Sequence, residues 1–135
     1  MNFIDRAFKD NLKGDEFLQA MADIYLEIEV REILYKYPQF VRDVILIIDY
    51  DTEIQMDGLD NVIYGDFGEQ LPEIIQALDN CGANYEADVL REAREMSVEE
   101  YDENYDSLCE KLALHNDYDA FWDLVRKYID ASLNV

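Results

Sequence analysis

Phe40-Val41-Arg42-Asp43-Val44-Ile45-Leu46-Ile47-Ile48-Asp49-Tyr50-Asp51-Thr52-Glu53-Ile54 decides the fold of this chain. Its β-branched residues are nearly continuous and would suit a buried strand as well as a buried helix. No second run of similar quality exists to pair with it. An unpaired strand would leave its backbone donors and acceptors unsatisfied. The segment is therefore read as a central buried helix, and the fold class as all-α: one compact multi-helix domain over residues 1–135.

The flanking sequence supports this reading. Phe3, Ile4, Ala7 and Phe8 suit a short helix within Asn2 to Asn11, which Gly14 breaks. Asp15 is placed to cap a longer helix running towards Tyr37, with Phe17, Leu18, Met21, Ile24, Tyr25 and Ile28 at helical spacing, ended by Pro38. Leu71 to Cys81 reads as helix, with Pro72 in the first turn and Gly82 as C-terminal cap. Asn84 is placed to cap a helix reaching about Met96. Ser97-Val98-Glu99-Glu100 matches a capping box before a helix running towards Leu114. Asn116 or Asp117 is placed to cap the last helix, with Phe121, Leu124, Val125, Tyr128 and Ile129 as its apolar stripe. The ten tyrosines read mainly as core or half-buried helix-face residues, with an interface as the alternative.

Between these helices lies Met56-Asp57-Gly58-Leu59-Asp60-Asn61-Val62-Ile63-Tyr64-Gly65-Asp66-Phe67-Gly68-Glu69, with three of the chain's five glycines. Glycine stretches of this kind close turns or approach ligands. The G-x-x-G here lacks the third glycine of a dinucleotide fingerprint and the Lys of a P-loop. Asp49-Tyr50-Asp51-Thr52-Glu53 opens like a calcium loop. The sixth and twelfth places hold Ile54 and Asp60 instead of Gly and Glu, so the motif fails. One His and two distant Cys do not make the usual zinc set. Cys109 and His115 would point to different faces of one helix. No catalytic residue, metal ligand or cofactor is assigned. The stretch is read as a structural helix-bend-helix in which Gly58 opens the second helix and Gly65 and Gly68 allow the exit turn.

Charge is the main compositional signal. The 135 residues carry 11 basic and 32 acidic side chains, net -21. Residues 1–49 hold 6 basic and 10 acidic residues, residues 50–135 hold 5 and 22. Such a surface repels nucleic acid and anionic membranes and attracts basic proteins. The N-terminal stretch has no apolar signal region and no apolar run spans a bilayer, so a soluble cytoplasmic protein is expected. Ten acids fall between Glu86 and Glu110 against Arg91 and Arg94 alone. Asp88, Glu92, Glu95, Glu99, Glu100, Glu103 and Asp106 form the candidate partner-binding face. Many are spaced three or four apart, where like charges cost helix stability.

Glu53 to Gly65, the Gly68-Glu69 step, and Ala77-Leu78-Asp79-Asn80-Cys81-Gly82-Ala83 together resemble a bacterial family of uncharacterised domains. Its pattern is roughly E-[IV]-x-N-G-G-F-x-Q-Y-F-x-N, then a Gly-acid step, then A-L-x-x-[IL]-G-A. The likeness covers about residues 50–95. Met56 and Asp57 stand where the family has N-G, Leu59 replaces F, Asn61 replaces Q, and Gly65 replaces N. The family includes an acidic DNA-mimic protein. The resemblance implies an all-helical fold and makes DNA mimicry a candidate function, with a basic DNA-binding regulator as partner; a homodimer, which the sequence leaves open, would favour mimicry because many regulators bind DNA as dimers. Three other readings stand beside it: an immunity-type inhibitor of a basic toxin or nuclease, a small enzyme or ligand binder using a cleft near Gly58–Gly68, and a soluble helical domain whose acidic face has no specific partner.

Overall fold

A computed structural model describes residues 1–134, and for residues 66 and 67 the backbone alone. Among the described residues the regular structure is entirely helical. It begins with α1 (Phe3–Lys9) and α2 (Gly14–Met21), followed by two 3-10 stretches, Ala22–Tyr25 and Ile28–Lys36. Then come α3 (Gln39–Met56), α4 (Leu59–Ile63), a 3-10 stretch over Asp66–Gln70, α5 (Leu71–Asn80) and α6 (Asn84–Glu95). The chain finishes with α7 (Val98–Lys111), the short α8 (Ala113–Asn116) and α9 (Tyr118–Leu133).

The deciding stretch is a helix, α3, and it lies at the centre. Val41, Val44, Ile45, Ile47, Ile48, Tyr50 and Ile54 are all buried, on more than one side of the helix. A helix apolar on nearly all sides needs neighbours around it. Here α2, α4, α5 and α9 pack against it. Ile74, Ile75 and Leu78 form the inner face of α5, and Ala87, Leu90 and Ala93 that of α6.

The long helix expected from Asp15 to Tyr37 is not formed. It ends as α-helix at Met21, tightens to 3-10 through Tyr25 and breaks at Glu27, where φ is -127° and ψ is 60°. The cause is tertiary. The Tyr25 hydroxyl and the Arg31 guanidinium both reach the buried Asp49 of α3, at 2.6 Å and at 2.6 and 2.9 Å. Six residues apart on one α-helix they would project about 120° from each other. The broken path lets both converge. Asp15 does not cap α2 either: it lies in the first turn, and the Gly14 N–H donates to Asp130 Oδ1 of α9 at 2.7 Å.

Three smaller differences have equally local causes. Asn84 is the first residue of α6 and donates to Asp79 Oδ1 at 3.0 Å instead of capping. The helix expected to reach Leu114 stops at Lys111, because the Ala113 N–H donates to Glu86 Oε1 at 2.7 Å. Leu124 is exposed, outside the buried stripe of Phe121, Val125 and Ile129. The caps at Ser97 and Asp117 form as expected: each side chain accepts an N–H three residues on, from Glu100 and from Ala120.

Candidate functional site

The acidic face is built on two helices. In α7, Tyr101 and Leu108 are buried and orient the helix. At 100° per residue, Glu99, Glu103, Asp106 and Glu110 then fall on one stripe opposite the buried side, with Asp102 and Glu100 flanking it. All six are exposed. Glu110 and Asp102 were not in the face expected from sequence, yet the stripe includes one and borders the other. Their i,i+4 spacing from Asp106 was the signal that could have found them.

On α6, Asp88, Glu92 and Glu95 also share an exposed face. These carboxylates are partly neutralised. Arg91 bonds Asp88 at 2.7 Å and also pairs with Asp79. Lys111 of α7 lies 3.4 Å from Glu92, and Arg94 lies 3.6 Å from Glu95. Among the described residues, no cation comes within 4 Å of Glu99, Glu100, Asp102, Glu103, Asp106 or Glu110. The candidate face thus divides into a compensated half on α6 and an uncompensated half on α7.

The glycine bend supports α7. Gly58, at φ +79°, precedes α4, whose Leu59 and Val62 are buried. The Asp60 carboxylate accepts the Tyr101 hydroxyl at 2.7 Å, tying the bend to the buried side of α7. Tyr64 packs edge-on against Tyr101 with ring centroids 5.0 Å apart, and Tyr101 packs against Tyr105 at 5.7 Å. Gly65 backs onto Asn61 so closely that a Cβ would overlap the Asn61 side chain. A Cβ on Gly68 would lie 3.0 Å from the Ile63 carbonyl oxygen. Asn61, where the resemblance places a Gln, donates to Glu53 across the bend.

Six of the ten tyrosines share one role that spacing did not reveal. Their hydroxyls donate to carboxylates: Tyr25 to Asp49, Tyr37 to Asp5, Tyr50 to Glu86, Tyr101 to Asp60, Tyr118 to Asp51 and Tyr128 to Asp43. Asp43 and Glu86 are each only 1% exposed. Asp43 also accepts from Gln39 and Asn80. A buried carboxylate needs such donors. An acidic chain thereby uses phenols to place carboxylates inside and at the edges of its core.

Other chemistry finds little support. His115 Nδ1 lies 3.0 Å from the Cys109 carbonyl oxygen, so this contact engages the backbone. Burial pushes the Cys109 thiol up, and the Cys81 thiol up to about 11, which disfavours the reactive thiolate. Among the described residues no three His, Cys, Asp or Glu side chains are grouped to hold a metal ion. No helix among them is long and apolar enough to cross a membrane.

Among curated proteins and among solved structures, nothing matches the chain. A family described as DMP19-like protein matches residues 35–133, from the 3-10 stretch before α3 through the end of α9. That span contains the central helix, the glycine bend and both acidic helices, well over half of the sequence. The chain belongs to the DMP19-like protein family.

Proposed function

We propose that the chain is a non-enzymatic interaction protein whose α7 face mimics the charge of a nucleic-acid backbone and occupies the basic surface of a DNA-binding regulator. The observation that carries this reading is the uncompensated row on α7. Glu99, Glu103, Asp106 and Glu110 line the stripe, and with the flanking Glu100 and Asp102 six carboxylates lie along about 16 Å of helix axis, roughly one per 3 Å. A DNA strand carries about one phosphate charge per 3.4 Å of axis. A basic surface built to pair with one can pair with the other through Arg and Lys hydrogen bonds.

Glu99, Glu100, Glu103 and Asp106 are the principal acceptors in this proposal. Asp88, Glu92 and Glu95 extend the face. Their present partners, Arg91, Lys111 and Arg94, are themselves solvent-accessible, so exchange for a partner's cations costs little. Family membership supports the reading independently of the geometry.

The test is capture from native lysate on the immobilised chain, eluted by a salt gradient, beside a Glu99→Gln, Glu103→Gln, Asp106→Asn variant. One discrete DNA-binding partner is expected, lost with the variant and displaced by its own operator duplex. A basic toxin or nuclease in its place would transfer the same face to an immunity-type role. A smear of basic proteins leaving both columns at low salt would overturn specific binding by the row.

A further inference from the structure

A second concave site lies away from α7, where α2, α3 and α9 meet. It is a cavity of about 330 Å³. That volume falls in the range of small-molecule pockets, roughly 300–1,000 Å³. Its lining combines two kinds of surface. Leu18 and Ile48 supply aliphatic contact, and Tyr118 and Trp122 supply aromatic rings with centroids 6.1 Å apart. Asp15, Asp51 and Asp119 add carboxylates from three different helices.

These carboxylates are unevenly engaged. Asp15 accepts from Arg126 Nε at 3.1 Å, and Asp51 Oδ2 accepts the Tyr118 hydroxyl at 2.7 Å. Asp119 has no cation within 4 Å among the described residues. Among the described residues Arg126 is the one cation lining the cavity, and it is shared with Asp123 outside it. The lining therefore carries a net negative charge beside aromatic rings and aliphatic surface.

An anion is disfavoured there by charge. A hard metal ion wants a shell of oxygens, which these dispersed carboxylates and apolar walls do not offer. A positive head group on an aliphatic stem suits both surfaces. Its charge faces Asp51 and Asp119, its methylenes lie on Leu18 and Ile48, and the rings add cation–π attraction.

We propose that the α2–α3–α9 cavity binds an organic cation with an aliphatic stem and an ammonium or guanidinium head. The head can come from a free polyamine or from a Lys or Arg side chain of a protein. The site is independent of the acidic row on α7 and stands whether or not that row binds a partner.

Trp122 is the only tryptophan in the chain and lines this cavity, so the protein's tryptophan fluorescence reports on the surroundings of that one ring. The full chain is titrated with spermidine and, separately, with N-acetyl-arginine amide, at constant ionic strength, with sodium and magnesium chloride as controls. A saturable change in Trp122 emission is expected with at least one organic cation and not with either salt. Saturation by spermidine alone assigns a free polyamine, and saturation by the arginine amide assigns a side chain. Asp119→Asn together with Asp51→Asn is expected to weaken the response roughly tenfold or more. Asp119→Asn alone, at an exposed position, is expected to weaken it in the same direction without disturbing the fold. Glu99→Gln with Glu103→Gln is expected to leave it unchanged. A response that the salts reproduce, or that survives loss of both aspartates, would overturn the proposal, as would no response to either organic cation.

Discussion

The Tyr50 hydroxyl donates to Glu86 Oε2 at 3.0 Å inside the core, while Glu86 Oε1 accepts the Ala113 N–H at 2.7 Å. One carboxylate thus joins the central helix α3 to α6 and to the start of α8. Both of its oxygens are used, which is the condition for keeping such a group buried. The junction also interrupts the helix between α7 and α8, at Leu112, and so sets where the acidic row ends.

Burial pushes the Glu86 carboxyl above its ordinary 4.5. A native value above the unfolded one means the fold binds the extra proton. This contribution to stability is full below about pH 4.5 and is lost as pH rises through the native value. Glu86→Gln, which keeps an acceptor for Ala113 and can donate to Tyr50, removes that dependence. Its stability relative to the wild type should improve from pH 4.5 to 8. Glu86→Ala strands two polar groups and should cost about 3 kcal/mol. Urea unfolding of the three proteins across this pH range checks both outcomes.

Seven tyrosines, Tyr25, Tyr37, Tyr50, Tyr101, Tyr105, Tyr118 and Tyr128, are pushed above their ordinary value of 10, first of all by burial. Tyr25 and Tyr105 are each pushed up to about 12. A neighbouring carboxylate adds to the shift for each of the seven, through a hydrogen bond from the hydroxyl in all but Tyr105. The raised native values stabilise the fold fully below pH 10, and that stability is lost as pH rises through them. Spectrophotometric titration should show these phenols ionising late and together with alkaline unfolding. Early, independent ionisation of all ten near pH 10 would contradict the pairing.

The α7 row trades stability for field. Glu103 has like-charged neighbours at Glu99, four residues away, and at Glu100 and Asp106, three away. Glu103→Gln should stabilise the protein by about 0.2–0.5 kcal/mol per relieved pair at low salt, with the gain shrinking as salt screens it. The same change should weaken capture of the basic partner. Thermal melts at two ionic strengths, beside the binding assay, separate the two effects.

The bend glycines should differ in a predictable order. Gly65→Ala forces a Cβ into the Asn61 side chain and close to its Cα, a cost of about 2–3 kcal/mol. Gly58→Ala meets only the Tyr105 hydroxyl at 3.4 Å and pays mainly for its backbone, since φ +79° with ψ -177° is a region essentially confined to glycine, about 1–3 kcal/mol. Denaturant midpoints with unchanged slopes would bear out this ranking. A Gly65→Ala cost well below that of Gly58→Ala would contradict the steric trap at Gly65.

Local physics was enough to determine much of this protein from its sequence. The apolar pattern of Phe40–Ile54 suited strand and helix alike, and the lack of any partner strand in the sequence pointed to a central helix. Pro72, Gly82, Ser97 and Asp117 placed helix ends because their preferences act within one turn. The three-and-four spacing of Glu99, Glu103 and Asp106 put them on one face because a helix repeats every 3.6 residues. Tertiary structure decided whatever depends on residues distant in the chain. It broke the expected helix at Glu27 so that Tyr25 and Arg31 could both reach Asp49. It capped α2 from Asp130, 116 residues away. It brought Lys111 to Glu92 and left the α7 carboxylates without such a partner. Periodicity assigns a side chain to a face, but which charge or phenol stands opposite is set only when the helices pack.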